Sequence, residues 1–269
     1  VYFDDETTAT ADGDRLLIHV SSAWNISGTP NGGFLNSIVL RSMRDVAAHP
    51  DPMSVTTHFF RPGVSEAEAE VQVELVRSGR TTSATTGALV QVGKDRIRTT
   101  AIFGELTGSD VAAGPHLDLA PPAIPAPDRC VSRRGEAQGV ELTILDRIEL
   151  RLHPEQAPPD DPDAPLLGRA EITGWVRFVD EEPVDALALC LFADAFPPPL
   201  VNLLGAVGWV PTIELTVHVR RRPVPGWILG RFTVNDLADG HFIEDGVLWD
   251  ESGSVVAQSR QLGLVLGVD

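Results

Sequence analysis

The chain has 269 residues, 43% hydrophobic and 22% charged, with a formal net charge of −17. This length and balance suit one large or two small folded domains with a real core and exclude a disordered chain. The acidic excess argues against general nucleic-acid binding, and no run of about eighteen apolar residues is present to span a membrane.

Residues 14–20 read as a first strand. Asn31-Gly32-Gly33 then opens a helical stretch through His49, in which Leu35, Ile38, Val39, Met43 and Val46 form one apolar stripe. His49-Pro50-Asp51-Pro52 stops it, and a strand over Ser54–Arg61 follows, closing on Arg61-Pro62. Three strand-like runs, Ala67–Arg77, Thr81–Val92 and Arg96–Phe103, are joined by turns at Ser78-Gly79-Arg80 and Gly93-Lys94-Asp95. From Leu106 to about Gly139 the composition shifts to Pro, Ala, Asp and Gly, as in a linker.

Beyond the linker the same order returns. Arg147–Leu152 and Arg169–Val179 alternate as strands around a proline-rich surface insertion at His153–Pro165. A helix over Asp185–Phe196 stops against Pro197-Pro198-Pro199. Thr212–Arg221 closes on Arg222-Pro223, and Trp227–Val234, Phe242–Trp249 and Ser254–Leu266 complete the strands. His58 and Arg61 sit three apart on one strand and His218 and Arg221 three apart on another, an offset of about 160 residues that marks a tandem duplication. Each copy reads as a strand, a helix and four strands in meander order, an α+β class. The two sheets are expected to join edge to edge with both helices on one side. The expected division is 1–105 for the first copy, 106–140 for the linker and 141–269 for the second copy.

The polar residues are not duplicated evenly. Asp194 stands among Leu191, Phe192, Ala193, Ala195 and Phe196, where a carboxylate either points to water or serves to orient and deprotonate one. Gln261 lies in an otherwise apolar strand and reads either as an outward residue beside Ser259 and Arg260 or as a group that fixes a water. Thr212 begins a strand and says little alone. The aligned first-copy positions fall near Phe34, around Pro52 and near Ile102. Asn31-Gly32-Gly33 at a helix start offers backbone N–H groups for a developing oxyanion, or is simply a tight turn needing positive φ. His58 and His218 have no partner spacing for a metal. Arg220-Arg221-Arg222 is either a solvated strand end or a phosphate attractor. Neither a nucleophile elbow nor a glycine-rich phosphate loop is present.

Pro-Asn-Gly-Gly-Phe (30–34), His49-Pro-Asp-Pro, Ser54-Val-Thr-Thr-His-Phe-Phe-Arg-Pro62, Ser78-Gly-Arg80 and Ala101-Ile-Phe-Gly104 in the first copy resemble the TesB-like acyl-CoA thioesterases. So do Ala193-Asp194-Ala195-Phe196-Pro197, Pro211-Thr212-Ile213-Glu214 and Ser259-Arg-Gln261-Leu-Gly263 in the second. The resemblance implies a tandem (double) hotdog, two long helices each wrapped by an antiparallel sheet. It implies hydrolysis of an acyl-CoA to free acid and coenzyme A, as in fatty acid metabolism. Asp194, Thr212 and Gln261 would hold the attacking water, with no metal and no cofactor. Gly32, Gly33 and Phe34 are the expected oxyanion and substrate contacts, Phe34 standing where better-known members carry a Gln. A covalent route with Asp194 as nucleophile stays open. So does a catalytically silent acyl-CoA-binding or scaffold protein, and last a hydratase, which would need a His near Asp194. Leu35, Val39, Leu187 and Leu191 are the expected acyl-tunnel lining. Open sheet edges point to a homo-oligomer, dimer or higher. The opening Val1-Tyr2-Phe3-Asp4-Asp5 lacks a secretory signal and Cys130 and Cys190 stand in unlike settings, so a cytoplasmic location is expected.

Overall fold

The asparagine before the glycine pair starts the first long helix. Asn31 Oδ1 accepts the Phe34 N–H at 2.9 Å, which satisfies one of the amides left open in a first turn. In the computed structural model, which describes residues 1–110, 117–133, 140–158 and 164–266, that helix is α2 (Gly32–Val46). Before it come α1 (Tyr2–Thr7), β1 (Thr10–Asp12), β2 (Arg15–Val20) and the two-residue strands β3 (Asn25–Ile26) and β4 (Thr29–Pro30). After it come β5 (Asp51–Phe59), β6 (Ala67–Ser78), β7 (Ser83–Gln91) and β8 (Lys94–Gly104). The second copy comprises β9 (Val131–Arg133), β10 (Ile148–Leu152), β11 (Glu171–Phe178), α3 (Ala186–Phe192), α4 (Val201–Leu204), β12 (Thr212–Val219), β13 (Ile228–Ala238), β14 (His241–Trp249) and β15 (Val255–Leu264).

Thirteen strands form one antiparallel sheet in the order β1-β2-β6-β7-β8-β5-β12-β15-β14-β13-β11-β10-β9. The copies meet at its middle, where β5 pairs with β12 in a register that sets Thr56 opposite Thr216, Ser54 opposite His218 and His58 opposite Glu214. The Thr56 and Thr216 hydroxyls, 160 positions apart, share a hydrogen bond of 2.9 Å, so the pseudo-two-fold axis runs between them. This is the tandem hotdog, with α2 and α3 packed together on one face of the joined sheet. The four-strand meander is corrected in one respect. Only the last three strands of each copy run in sequence order, because β5 pairs with β8 and β12 with β15. That exchange frees one edge of β5 and of β12 to pair with each other.

α3 is shorter than the expected 185–196. It is capped by Asp185, whose side chain accepts from the Ala188 N–H at 2.8 Å, and it ends at Phe192 before the prolines. The part of the proline-rich stretch from 119 to 125 is a strap on the opposite face of the sheet. Trp249 Nε1 donates to Leu119 C=O at 2.7 Å, Trp175 Nε1 donates to Pro125 C=O at 3.0 Å, and Ile124 packs with Leu229, Trp249 and Val255. Val131–Arg133, inside the stretch expected to be linker, pairs with β10. Residues 111–116 and 134–139 of that stretch, and 159–163 of the expected insertion, lie outside the described residues. No helix among the described residues is long and apolar enough to cross a membrane.

One buried carboxylate ties the copies together at the sheet's centre. Asp51 accepts from Arg222 Nε and Nη2 at 3.0 and 2.7 Å and from the Leu106 N–H at 2.8 Å. Arg221 donates to Val255 C=O and pairs with Asp118. Arg221 and Arg222 are thus tied into the fold by these acceptors. Asp51→Ala is expected to cost about 1–3 kcal/mol, since it strands the Leu106 amide and leaves Arg222 to solvent. Chemical denaturation of the two proteins measures it.

Candidate active site

Asp194 lies two residues past the end of α3, in a turn closed by its own N–H on Leu191 C=O at 3.0 Å. α3 runs antiparallel to α2, so this turn meets the first turn of α2. Asp194 Oδ2 accepts from the Gly33 N–H at 2.7 Å and from Asn31 Nδ2 at 3.1 Å, and Nδ2 also donates to Asp194 C=O at 2.8 Å. The contact explains the glycine pair. A Cβ on Gly33 would stand 3.0 Å from both Asp194 Cβ and Leu191 C=O, and one on Gly32 would stand 2.7 Å from the Phe59 ring. Neither glycine has positive φ, so the pair serves close approach of two chain segments and not a left-handed turn. Burial pushes the Asp194 carboxyl up to about 6, against the lowering by the Gly33 amide and Asn31.

Asp194 opens onto a cavity of about 710 Å³ between the copies, a size suited to a small-molecule site. Asn31, Gly32, Leu35 and residues 59–63 line it from the first copy. Asp194, Thr212, Glu244 and Gln261 line it from the second. Thr212 reaches it through a bulge. β12 pairs Glu214 with Leu262 and then Thr212 with Gly263, so Ile213 is the extra residue. The extra residue brings Thr212 onto the inner face, which regular alternation would have denied it. Gln261 faces inward between Leu215 on β12 and Glu244 on β14, while its neighbour Arg260 points out to Asp245.

Glu244 was not singled out in the sequence, although a signal was there. Phe242, Glu244, Gly246 and Leu248 share the buried register of β14, so a glutamate occupies an apolar position of an alternating strand. Burial first, then the negative charges of Asp194 and Asp245, push its carboxyl up to about 8. No hydrogen bond to its side chain is found from the described residues. The Asn31 side chain, which the reading of Asn31-Gly32-Gly33 as a helix start or a turn gave no role, both caps α2 and holds Asp194.

Three expectations are corrected. Phe34 is fully buried and stacked on Trp24 at 5.0 Å, off the cavity, so it contacts no ligand there. The Gly33 amide is taken by Asp194 and is not free for an oxyanion, which leaves Gly32 as the cavity-lining glycine. Of the four residues expected to line a tunnel, Leu35 lines the cavity, while Val39, Leu187 and Leu191 are core.

The pairing fixes two of the first-copy counterparts to single residues. Thr57 faces Leu215 and Val55 faces both Val217 and Ala101. Leu215 in turn faces Gln261, so the position matching Gln261 is Ala101, next to Ile102 as expected. Pro52 opposes Phe103 where Thr212 opposes Gly263, and Thr85 opposes Ala101 where Glu244 opposes Gln261. At the other end of the antiparallel helices, where a second Asp194-type contact would stand, Arg44 pairs with Asp185 at 3.4 Å. One site is polar and open. At the matching register positions of the first copy stand Pro52, Ala101 and Phe103, all buried and none of them charged.

Comparison with known proteins assigns the chain. Residues 20–104 match the family model of the acyl-CoA thioesterase N-terminal domain, and residues 127–265 match that of the C-terminal domain. The chain belongs to the acyl-CoA thioesterase family. Among solved structures, a candidate thioesterase II from Thermobifida fusca is 31% identical, covers 98% of this chain and 97% of its own, and superposes with a TM-score of 0.84. A conserved hot dog fold protein of unknown function from Alicyclobacillus acidocaldarius reaches the same TM-score of 0.84 at 22% identity, covering 100% of this chain and 99% of its own. Uncharacterised proteins of Mycobacterium tuberculosis and Mycobacterium bovis are 35% identical over 91 residues, 34% of this chain. That match spans only 31% of the length of these curated relatives.

The electrostatics at Asp194 make a stability prediction. The Asp194 pKa rises from an ordinary 3.8 to about 6 on folding, so its ionisation in the folded state costs about 2–3 kcal/mol at pH 8 and nothing below pH 4. Asp194→Asn is expected to raise the melting temperature by a few degrees at pH 8. The gain should shrink as pH falls through 6 and vanish near 4, as thermal melts across pH will show.

Proposed function

We propose that this protein hydrolyses acyl-CoA thioesters to a free acid and coenzyme A, with Asp194 as general base. The observation that carries the proposal is a half-buried carboxylate, raised to about 6, held at a helix N-terminus and opening onto a cavity between the two copies. A base with such a pKa is ionised at neutral pH and still able to accept a proton from water. Thr212 and Gln261, brought to the same cavity by a bulge and by strand alternation, fix the water's position. The Gly32 N–H, at the positive end of α2, is the backbone donor offered to the developing oxyanion. The acyl group rests against apolar wall such as Leu35, Phe59, Phe196 and Trp209. Among the described residues the cationic side chains in the lining are Arg61 and Arg133. They supply the local positive charge that a chain of net charge −17 needs near the phosphates of coenzyme A.

In this reading water attacks the thioester carbonyl carbon as Asp194 takes its proton. The tetrahedral intermediate then collapses with cleavage of the C–S bond. Thiol release from a panel of acyl-CoAs tests it. Asp194→Ala is expected to lower turnover by about 10²–10⁴ in a folded protein. Thr212→Val and Gln261→Leu should each give a smaller loss in kcat. Activity should rise with pH as Asp194 ionises near 6. Full turnover in Asp194→Ala would overturn the assignment of the base, and wild type inert on every acyl-CoA would overturn the hydrolase.

A further inference from the structure

The site holds a second carboxyl that the hydrolytic scheme above leaves without a task. Glu244 lies directly opposite Gln261, on the inner face of β14, and lines the same cavity as Asp194 and Gly32. It is 8% exposed, and no described residue donates a hydrogen bond to it. The charged groups that act on it are Asp194 and Asp245, both negative. The strands on either side present Val234 and Gln261, neither of them charged. A carboxylate in that setting is unfavourable on every count, whereas a neutral carboxyl has an O–H to donate and a cavity to donate it into. The first copy sharpens the point, since the matching position there is the non-ionisable Thr85.

The oxyanion side of the site is short of donors. Of the amides in the first turn of α2, Gly33 N–H is spent on Asp194 and Phe34 N–H on Asn31. A thiolate is already a good leaving group, so a proton donor is needed less at sulfur than at the oxygen where charge develops. We propose that Glu244, in its protonated form, is a catalytic residue that donates its O–H to the thioester oxygen and stabilises the tetrahedral oxyanion. This rests on the hydrolase reading above. As the water oxygen bonds to the carbonyl carbon, its proton passes to Asp194. The C=O electron pair moves onto the oxygen, which accepts the Glu244 hydrogen bond without taking the proton. When the C–S bond breaks, that pair re-forms the carbonyl and sulfur leaves with the bonding electrons. The proton on Asp194 then goes to solvent or to the thiolate, and Glu244 is unchanged throughout. The two carboxyls thus work in opposite states, and the pH range in which both states coexist lies between about 6 and about 8.

The test compares wild type, Glu244→Gln, Glu244→Leu and Asp194→Ala for thiol release from acyl-CoAs between pH 5 and 10. Binding of a non-hydrolysable acyl-CoA thioether and thermal melts accompany it. Wild type is expected to lose activity above about pH 8, as Glu244 ionises. Glu244→Gln keeps a donor and should retain most of the turnover while losing that alkaline decline. Glu244→Leu should lower kcat by about 10²–10³ with thioether binding little changed. If Glu244→Leu does not fold, the pH profile of Glu244→Gln decides alone. An alkaline decline that persists in Glu244→Gln overturns the proposal, as does a Glu244→Gln as impaired as Glu244→Leu, or a Glu244→Leu with full turnover. Any of these alongside a loss in Asp194→Ala would sink the role of Glu244 and leave the hydrolase standing. Wild type releasing no thiol would sink both.

Discussion

The structure turns on one contact, the Asp194 carboxylate seated on the first turn of α2. It joins the end of the second copy's helix to the start of the first copy's helix through the Gly33 amide and the Asn31 side chain. Several otherwise unrelated features follow from it. Two successive glycines are required because side chains there would strike Asp194, Leu191 and Phe59. α3 has seven residues where α2 has fifteen, because its chain must turn at Asp194 before the prolines. The positive end of α2 and two donors hold the carboxyl in place, and burial still outweighs them in setting its proton affinity.

Duplication supplies the frame and asymmetry supplies the chemistry. Both β5 and β12 carry a bulge at matching places, between Pro52 and Ser54 and between Thr212 and Glu214. The backbone device that presents Thr212 to the cavity thus exists in both copies, and only the side chains differ. Where the second copy has Thr212, Glu244, Gln261 and Gly263, the first has Pro52, Thr85, Ala101 and Phe103. The large ring at Phe103 fills the place that Gly263 leaves thin. The opposite helix ends are joined by the Arg44–Asp185 ion pair instead of a carboxylate on bare amides.

Charge is distributed with the same economy. The chain is acidic overall, yet several of its arginines are tied to carboxylates, as in Arg222–Asp51, Arg147–Glu6 and Arg41–Asp4. The last two hold α1 against the body of the fold, where Phe3 stacks on Phe178 at 5.0 Å. Among the described residues the cavity lining holds two acidic and two cationic side chains, and burial raises both of the acids well above their ordinary range.

The α+β class, the duplication with its offset near 160, the long first helix and the strand runs were all legible in the sequence. They depend on local periodicity and on short motifs such as Asn31-Gly32-Gly33 and Arg61-Pro62. The family was legible too, from motif order along both copies. Convergence was not. Asp194, Gly33 and Asn31 are more than 160 positions apart in part, and only antiparallel packing of α2 on α3 brings them within hydrogen-bond reach. The side of the sheet that Thr212 faces depends on a one-residue bulge, which hydrophobic alternation does not register. Phe34 was expected at the pocket because it stands where the resembling family carries a Gln, and its stacking on Trp24 places it in the core. Glu244 shows in the sequence only as a glutamate at an apolar position of an alternating strand, and its shifted proton affinity is set by tertiary contacts. The sequence by itself determined which elements form and how often they recur, because those follow from neighbouring residues. Tertiary structure decided which polar groups meet, because that depends on register and packing between segments far apart in the chain.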